Sequence, residues 1–349
     1  MSEANAYLDK EAFKARLPFL LSKNKIAAAI RDFFARGDFT EVDTPILQLS
    51  PGMEVHLNAF ETKFVDISGR ETIPLYLHTS PEFAMKKLLS FGMARIYQFA
   101  HVFRNEIVSP THYPEFTMLE WYRAGETYEK LMDDCEEILR AALDAVGKER
   151  FTRGDMKCSL AGGIEKLTVR QAFEKFCRFD ILATIDDPSA PTPALLAPRA
   201  RGLGINVSDS DTWDDVFEKL MLEFVEPNLG APDPTVLYEY PLHQAALSKP
   251  LPNDPRLAQR FELYACGVEL ANAFTELTDP LTQRKRFERD MAEKERLYSK
   301  CYPIDKEFLD AVAHMPDCAG IALGLDRLVM LATGAKDIKD LQWVPIPGI

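Results

Sequence analysis

Residues 115–122 are predicted to form a strand whose side chains alternate strictly between two different faces. A short loop joins it to another predicted strand, residues 103–106, which carries Arg104 and Glu106. One face of the second strand carries Phe116, Met118, Glu120 and Tyr122, and the other carries Thr117, Leu119 and Trp121. An ordinary amphipathic hairpin shares this pattern, but the first face also suits a base stacked on Phe116 and a phosphate held by Arg104. A cationic group would fit near Glu120 or Tyr122.

Apolar residues at helical spacing predict helices over residues 10–34, 127–146 and 212–225. Ser80 and Pro81 predict the start of a further helix, which ends near Gly92. Turn-forming residues and helical segments alternate between residues 150 and 235. We therefore interpret that stretch as a mainly helical insertion.

A run of small residues that begins at Gly320 leads into an apolar helical pattern, which predicts a strand followed directly by a helix. Gly324 opens this helix, and Arg327 lies in its first turn. The free backbone N–H groups at a helix start and the helix dipole attract anions, and a neighbouring arginine strengthens that attraction. The segment therefore predicts an anion site, although a glycine before a helix is common by itself.

The apolar segment 261–277 contains three glutamates and an asparagine, namely Glu262, Glu269, Asn272 and Glu276. Two paired strands with outward-facing glutamates would have the same pattern. Glu269 and Asn272 have opposite parity along a strand, so a bulge or twist is needed before both can face one site. Mg²⁺ prefers oxygen ligands, and Glu262 and Glu269 are the candidates to bind it beside the phosphates of ATP.

The composition narrows the class of protein. The 349 residues are 46% hydrophobic and 27% charged, which suffices for one large core or two ordinary ones. A net charge of -13 offers no overall attraction to nucleic acid, so tRNA is not expected as a partner. Six cysteines without Cys-x-x-Cys spacing favour a reducing cytoplasm over a zinc or disulfide framework. The sequence has no signal-like start and no apolar run of bilayer length, so neither secretion nor membrane insertion is expected.

These segments together resemble the signature motifs of the class II aminoacyl-tRNA synthetases. Residues 103–122 resemble motif 2, residues 320–331 resemble motif 3, and residues 39–45 resemble motif 1. The resemblance implies an α+β fold in which helices flank an antiparallel sheet, and a homodimer that forms through motif 1. Residues 1–349 would then be one catalytic domain that carries the insertion at about 150–235.

The resemblance is closest to the lysine-type branch, through residues 79–82 and 269–277. In that branch the counterpart of Glu82 contacts the amino group of the substrate, and the counterparts of Glu276 and Tyr122 bind its distal ammonium. Charge pairing predicts the same for a diamino acid. Lysyl-tRNA synthetases also carry an N-terminal OB-fold that reads the anticodon, and no such OB-fold is expected in this chain.

The whole length is similar to a truncated branch of the family that modifies a protein. The expected reaction uses ATP and Mg²⁺ to activate (R)-β-lysine or lysine as an aminoacyl-adenylate, and joins it to a lysine ε-amine of elongation factor P. Ala322 favours this branch, because lysyl-tRNA synthetases tend to have glycine there. The alternatives are a minimal lysyl-tRNA synthetase and a non-catalytic amino-acid sensor, and the sensor ranks last because Arg104 and Arg327 are present.

The resemblance also implies specific site residues. Arg104 and Arg327 would be the catalytic residues, and Glu262 and Glu269 would bind Mg²⁺. The amino acid is expected to contact Ser80, Pro81, Glu82, Tyr122, Asn272, Glu276 and Ala322. ATP is expected to contact Arg104, Asn105, Glu106, His112, Tyr113, Phe116, Glu269, Leu270, Gly324 and Arg327. Two residues depart from the family pattern, because Tyr113 stands where asparagine is usual and Ala273 replaces a glycine beside the expected amino-acid pocket.

Overall fold

The computed structural model describes residues 10–348, so residues 1–9 and 349 of the predicted domain lie outside the described residues. The helices are α1 (Lys10–Arg36), α2 (Glu82–Ser90), α3 (Tyr128–Val146), α4 (Val169–Ala172), α5 (Ala197–Gly202), α6 (Trp213–Leu220), α7 (Pro280–Tyr298), α8 (Lys306–Val312) and α9 (Leu325–Thr333). The strands are β1 (Thr40–Glu41), β2 (Leu47–Gln48), β3 (Glu61–Val65), β4 (Glu71–Leu77), β5 (Arg95–Phe103), β6 (Glu115–Ala124), β7 (Arg150–Arg153), β8 (Met156–Ser159), β9 (Glu165–Thr168), β10 (Thr235–Tyr238), β11 (Pro250–Leu251), β12 (Asp254–Ala258), β13 (Arg260–Ala265), β14 (Val268–Thr275) and β15 (Cys318–Gly324). Within residues 10–348, no helix has the length and apolar character needed to cross a membrane.

One sheet dominates the fold. Within the described chain it has eight strands, in the order β1-β5-β6-β15-β14-β13-β10-β9. The strands from β5 to β10 pair antiparallel with their neighbours, whereas β1 and β9 lie parallel at the two edges. A smaller sheet, β2-β4-β3, lies outside it. The predicted α+β fold with a largely antiparallel sheet is confirmed.

The strand register lines up polar residues across the middle of the large sheet. Glu262 pairs with Asn272, Asn272 pairs with Ala322, and Ala322 pairs with Glu120. The neighbouring row, two residues along each strand, consists of Arg260, Phe274, Gly320 and Tyr122. Residues directly opposite each other on paired strands point to the same face, so both rows face one side of the sheet.

Helices α1, α3 and α9 cover the opposite face and bury the main hydrophobic core. Leu119 and Trp121 of β6 are fully buried there, so the predicted alternation along β6 is confirmed. Ala273 also belongs to this core. The expectation that Ala273 lies beside the amino-acid pocket is therefore wrong, because strand alternation turns it away from the face that carries Asn272.

The strand pair β13 and β14 contains the irregularity that the sequence requires. Leu263 pairs with Ala271, but the next residue of β13 pairs with Glu269, which leaves Leu270 as the extra residue of a β-bulge. The bulge changes the alternation along β14. As a result, Glu269 and Asn272 both face the same cavity despite their opposite parity.

The stretch predicted as a mainly helical insertion, residues 150–235, begins with the short strands β7, β8 and β9, and helical segments follow from Val169 to Asn228. Helix α6 begins with a capping box, in which Thr212 and Asp215 each accept a hydrogen bond from the backbone N–H of the other. A second hydrophobic cluster around Trp213 holds this part together and packs on Tyr264 of the sheet. This packing places α6 beside the polar face.

The loop after β5 differs from the predicted strand pair. Strand β5 ends at Phe103, so Arg104 and Glu106 lie in the loop and not on the strand, which corrects the sequence prediction. Pairing with β6 stops at Phe103, and the N–H of Asn105 turns away to donate to Asn58 O at 2.7 Å. The backbone of Arg104 is still held there, because its N–H donates to Pro114 O at 2.9 Å.

Candidate active site

A cavity of about 1360 Å³ lies on the polar face of the sheet. Its wall includes most of the predicted site residues, namely Ser80, Glu82, Arg104, Glu106, His112, Tyr113, Phe116, Tyr122, Glu262, Glu269, Leu270, Asn272, Ala322, Gly324 and Arg327. Pro81, Asn105 and Glu276 are described but do not contribute to that wall. Helices α6 and α7 close the sides of the cavity with residues such as Asp214 and Arg289.

Arg104 enters one end of the cavity with unused hydrogen-bonding capacity. Its guanidinium carbon lies 5.4 Å from the centroid of the Phe116 ring. The buried Nε atom has no hydrogen-bond partner within residues 10–348. A buried N–H without a partner is costly, and a bound anion would satisfy it. Arg104 is therefore prepared to take a phosphate oxygen.

Arg327 is held in place by a network that joins the start of α9 to the loop before β6. Its Nη1 donates to Glu269 O at 2.8 Å, its Nε donates to Thr111 O at 3.2 Å, and its Nη2 donates to His112 Nε2 at 2.8 Å. A guanidinium only donates, so Nε2 of His112 accepts and Nδ1 carries the proton that faces Ser109 Oγ. Burial, followed by the charge of Arg327, lowers the pKa of His112 and keeps the ring neutral.

Glu262 lines the cavity and is surrounded by donors. Its Oε2 accepts from the hydroxyls of Tyr240 at 2.5 Å and Tyr264 at 2.7 Å, and its Oε1 accepts from Arg260 Nη2 at 2.5 Å. Burial raises the pKa of Glu262, Arg260 opposes this rise, and Glu269 adds to it. Glu269 is more open, with its carboxylate 3.4 Å from Arg327 Nη1.

Three charged groups, Glu82, Lys86 and Glu276, lie in or behind the wall at the other end of the cavity. Lys86 Nζ lies 2.5 Å from Glu82 Oε1 and 2.5 Å from Glu276 Oε2. Lys86 is 1% exposed and Glu276 is 0% exposed. Burial by itself would lower the pKa of Lys86, but Glu276 and Glu82 outweigh it and raise that pKa, so the ammonium stays charged. Glu82 lines the cavity, whereas Glu276, predicted to bind the distal ammonium, lies behind its wall.

Glu120 lies at the same end, in the row that also contains Ala322. Its side chain is almost completely buried, and the hydroxyl of Tyr122 donates to its Oε2 at 3.0 Å. Burial, followed by the charge of Glu82, raises the pKa of Glu120 to about 8, although the hydroxyls of Ser80 and Tyr122 offset part of the rise. Glu120 is thus a carboxyl group whose charge changes near neutral pH.

Gly320 on β15 provides the space in which Tyr122 and Glu276 meet. A Cβ atom at position 320 would lie 2.2 Å from Tyr122 Cε1 and 2.3 Å from Glu276 Oε1, both far too close for real atoms. Glu276 Oε1 has no hydrogen-bond partner among the residues that the structure describes. Because Gly320 itself lines the cavity, its missing side chain brings this unpaired carboxylate oxygen next to the cavity.

Lys86 and Gly320 were missed as site residues from the sequence. A signal for Lys86 existed, because Glu82 and Lys86 are four residues apart on a predicted helix and such residues share a face. The contact of Lys86 with Glu276 carries no sequence signal, because Glu276 follows a strand far along the chain. Gly320 looked like one small residue among several, and only the packing shows what its size permits.

The fold and the cavity together define a class of protein. A largely antiparallel sheet carries the site, Arg104 follows β5 with its Nε atom unpartnered among the described residues, and a second arginine lies in the first turn of the helix after β15. The sequence profile described as tRNA synthetases class II (D, K and N) matches residues 3–346. The chain belongs to this family, which confirms the predicted resemblance.

Individual relatives match over almost their whole length. The chain is 40% identical over 330 residues to the elongation factor P (R)-β-lysine ligase of Yersinia enterocolitica, with 94% of each chain covered. It is 39% identical over 334 residues to proteins of the same name from Vibrio parahaemolyticus and Proteus mirabilis. Those alignments cover 95% of this chain and 97% and 96% of the two relatives, respectively.

Proposed function

We propose that this protein activates (R)-β-lysine or lysine with ATP and transfers it to the ε-amine of a lysine on elongation factor P. The observation that carries the proposal is one cavity that combines two arginines with a separate group of carboxylates. Arg104 and Arg327 lie at the phosphate end, and Glu82 and Glu120 line the amine end with Glu276 behind them. The names of relatives that match 94% of the chain support the same reaction. The enzyme is then a ligase that forms an amide and converts ATP to AMP and pyrophosphate.

In the first step the carboxylate of the amino acid attacks the α-phosphorus of ATP, and pyrophosphate leaves. Arg104 stabilises the negative charge that grows on the α-phosphate, and Arg327 holds the γ-phosphate. The ring of Phe116 offers a stacking surface for the adenine. No side chain acts as a nucleophile, so catalysis comes from positioning and charge stabilisation.

The residues present fit a magnesium ion at the phosphate end. Glu262 and Glu269 both line the cavity, and the pKa of nearby Glu226 is raised to about 7 by burial and then by Glu218, Glu262 and Glu269. A divalent cation would relieve this repulsion between carboxylates. Residues 10–348 contain no group of three or more side chains arranged as metal ligands, so phosphate oxygens would supply further ligands. When bound, Mg²⁺ neutralises phosphate charge, and Glu262 and Glu269 would hold it.

In the second step the neutral ε-amine of the acceptor lysine attacks the carbonyl carbon of the adenylate. The new amide bond forms as the bond to AMP breaks, and the amine loses a proton. An acidic enzyme surface suits a protein acceptor better than tRNA, because the net charge of the chain is -13. The proposed substrates, ATP and a translation factor, are found in the cytoplasm. Buried free cysteines such as Cys135 and Cys318 are consistent with the same location.

We further propose that the protein is a homodimer formed through motif 1 and the adjoining small sheet. All five residues of β3 are exposed, and this sheet exposes Leu47, Phe64, Val65 and Ile73. Monomeric proteins rarely leave such a patch uncovered. Light scattering after sizing chromatography should give twice the 39.5 kDa of one chain. A monomer at micromolar concentration would contradict the dimer.

The pKa of Glu120 predicts how amino-acid binding depends on pH. Because that pKa is raised to about 8, Glu120 is mostly neutral at lower pH, whereas a substrate ammonium prefers the ionised form. Affinity for the amino acid should therefore rise as the pH increases towards about 8, by up to about tenfold per pH unit for one proton, and level off above that pH. The measurement is the amino-acid KM in pyrophosphate exchange between about pH 6.5 and 8.5.

The control for this prediction is Glu120→Gln, which should bind more weakly and lose the part of the pH dependence that Glu120 contributes; the pKa of Glu276 is also raised to about 8, mainly by burial, so Glu276 contributes the remainder. The KM for ATP, measured in the same reactions, should change much less in the wild-type enzyme. An amino-acid KM that stays constant over this range in the wild type would refute the role assigned to Glu120.

The test of the proposed function offers the enzyme both classes of acceptor at once. Mg-ATP and either lysine isomer are incubated with elongation factor P and lysine tRNA, and the intact mass of each acceptor is recorded. An amide-linked mass gain on the protein alone supports the ligase and identifies the isomer. Charging of tRNA alone would indicate a minimal synthetase, and no product on either acceptor would indicate the sensor.

A further inference from the structure

We propose that Lys86 is a specificity-determining residue, which sets the spacing and the number of the carboxylates that receive the two amino groups of a diamino acid. The inference rests on the proposed function, since it concerns the same amino-acid site. Lys86 does not touch the cavity itself and acts through Glu82 and Glu276, so it is a positioning residue.

The first support is that the Nζ atom of Lys86 contacts two carboxylates from separate elements of the fold. Glu82 begins helix α2, and Glu276 follows strand β14. Lys86 Nζ lies at 2.5 Å from one oxygen of each carboxylate. Each carboxylate thereby keeps a second oxygen, and that of Glu276 has no hydrogen-bond partner in the part of the chain that the structure describes. Lys86 therefore holds both groups and leaves one oxygen of each for a ligand.

The second support is that the ammonium of Lys86 is fixed in place. Its Nζ lies 5.0 Å from the ring centroid of Phe274 and 5.9 Å from that of Phe308, at distances typical of cation–π contacts. Its side chain is 2% exposed. A lysine enclosed in this way cannot move to solvent, so the distance between its two partners is set by the fold.

The third support is the balance of charge in the occupied site. Burial raises the pKa of Glu120 and that of Glu276 to about 8, so a bound ammonium is needed to keep both ionised near neutral pH. With both ionised, they and Glu82 carry three negative charges, and Lys86 cancels one of them. The two ammonium groups of a diamino acid match the remaining two. An amino acid with a single ammonium would leave a buried carboxylate without a partner, which is strongly unfavourable. The charge of Lys86 thus favours diamino acids over monoamino acids.

The spacing of the carboxylates has a consequence for isomers. The two amino groups of β-lysine are separated by one carbon–carbon bond fewer than those of α-lysine. Because Glu82 and Glu276 contact the same nitrogen atom, their carboxylates lie close together. Lys86 therefore favours the isomer with the closer amino groups. Without Lys86, repulsion would separate the carboxylates and weaken this preference.

The experiment replaces Lys86 with methionine, which has a similar length but no charge. Pyrophosphate exchange is measured with α-lysine, (R)-β-lysine and norleucine, and the KM for ATP is measured alongside. We expect Lys86→Met to raise the KM for the preferred lysine isomer at least about tenfold, to bring the kcat/KM ratio of the two isomers towards one, and to leave the KM for ATP within about twofold. The matched control is Lys87→Met, because the neighbouring Lys87 pairs with Asp305 at 2.7 Å, away from the cavity.

A double-mutant cycle tests whether Lys86 acts through Glu276. On a Glu276→Gln background, Lys86→Met should add much less to the amino-acid KM than it does alone. If Lys86→Met fails to fold, the same measurements are made on Lys86→Arg. This variant keeps the positive charge but changes the length and shape of the side chain, so it should alter the kcat/KM ratio of the two isomers and leave the KM for ATP unchanged.

These experiments distinguish a failure of the inference about Lys86 from a failure of the proposed function. A folded Lys86 variant with wild-type amino-acid KM and isomer ratio would overturn the inference about Lys86 while the proposed function stands. A wild-type enzyme that supports exchange with neither lysine isomer would instead overturn the proposed function itself.

Discussion

The Arg104→Ala variant should lose adenylate formation by about a thousandfold and still fold normally. The loss follows from removing the group that stabilises charge on the α-phosphate, a role in which one preorganised donor commonly contributes two to three orders of magnitude in rate. The fold should tolerate the change because Arg104 lies in a loop and packs over Phe116 at 5.4 Å, a contact worth about 0.5–1 kcal/mol. The measurement is amino-acid-dependent pyrophosphate exchange together with the melting temperature.

The matched control is Arg140→Ala, which removes an exposed arginine that pairs with Glu136 at 2.9 Å on helix α3. It should keep wild-type exchange and stability. Near-normal exchange by a folded Arg104→Ala protein would overturn the assignment of Arg104. Arg327→Ala should be equally inactive but less stable, because it also removes the hydrogen bonds to Thr111 and Glu269.

The Glu276→Gln variant should weaken amino-acid binding by about a hundredfold and change ATP binding little. The carboxylate oxygen beside Gly320 is the proposed partner of the distal ammonium, and the amide offers that position no charge. A charge-assisted pair of this kind is worth about 3 kcal/mol, which corresponds to about a hundredfold in affinity. Calorimetric titrations with the lysine isomers and with ATP measure the two affinities separately.

Glu307→Gln is the appropriate control, because Glu307 is exposed and pairs with Lys87 at 3.4 Å outside the cavity. Both affinities should stay at their wild-type values in that variant. Equal losses for amino acid and ATP in Glu276→Gln would count against the assignment of the distal pocket, because they would indicate a general disturbance of the sheet.

Local patterns predicted the parts of the site that depend on strand and helix periodicity. The alternation along β6 places Glu120 and Tyr122 on the cavity side and Trp121 in the core, as expected. The opposite parity of Glu269 and Asn272 required an irregular strand, and the bulge at Leu270 supplies it. These features are local, since backbone geometry alone decides them.

Contacts between distant segments were not predictable in the same way. The ion pair of Lys86 with Glu276 joins a helix to the end of a strand much later in the chain. The sequence around either residue gives no indication of this contact. The prediction that Ala273 lies beside the amino-acid pocket was wrong for a related reason. A likeness in sequence does not show which face of a strand a substituted residue occupies. The position of Arg104 after β5 depends on where pairing stops, and the next residue, Asn105, already bonds to a separate loop.

Strand pairing fixes the distances between the residues of the polar row that crosses the sheet. Glu262 and Glu120 are separated by three strand intervals, which amounts to roughly 14 Å at the usual spacing between strands. Hydrogen bonds between strands fix that length, and changes of side-chain rotamer leave it unaltered. Engineering this enzyme for a longer or shorter amino acid would therefore proceed in discrete steps, because a new length requires a different residue of the row to carry the recognising group.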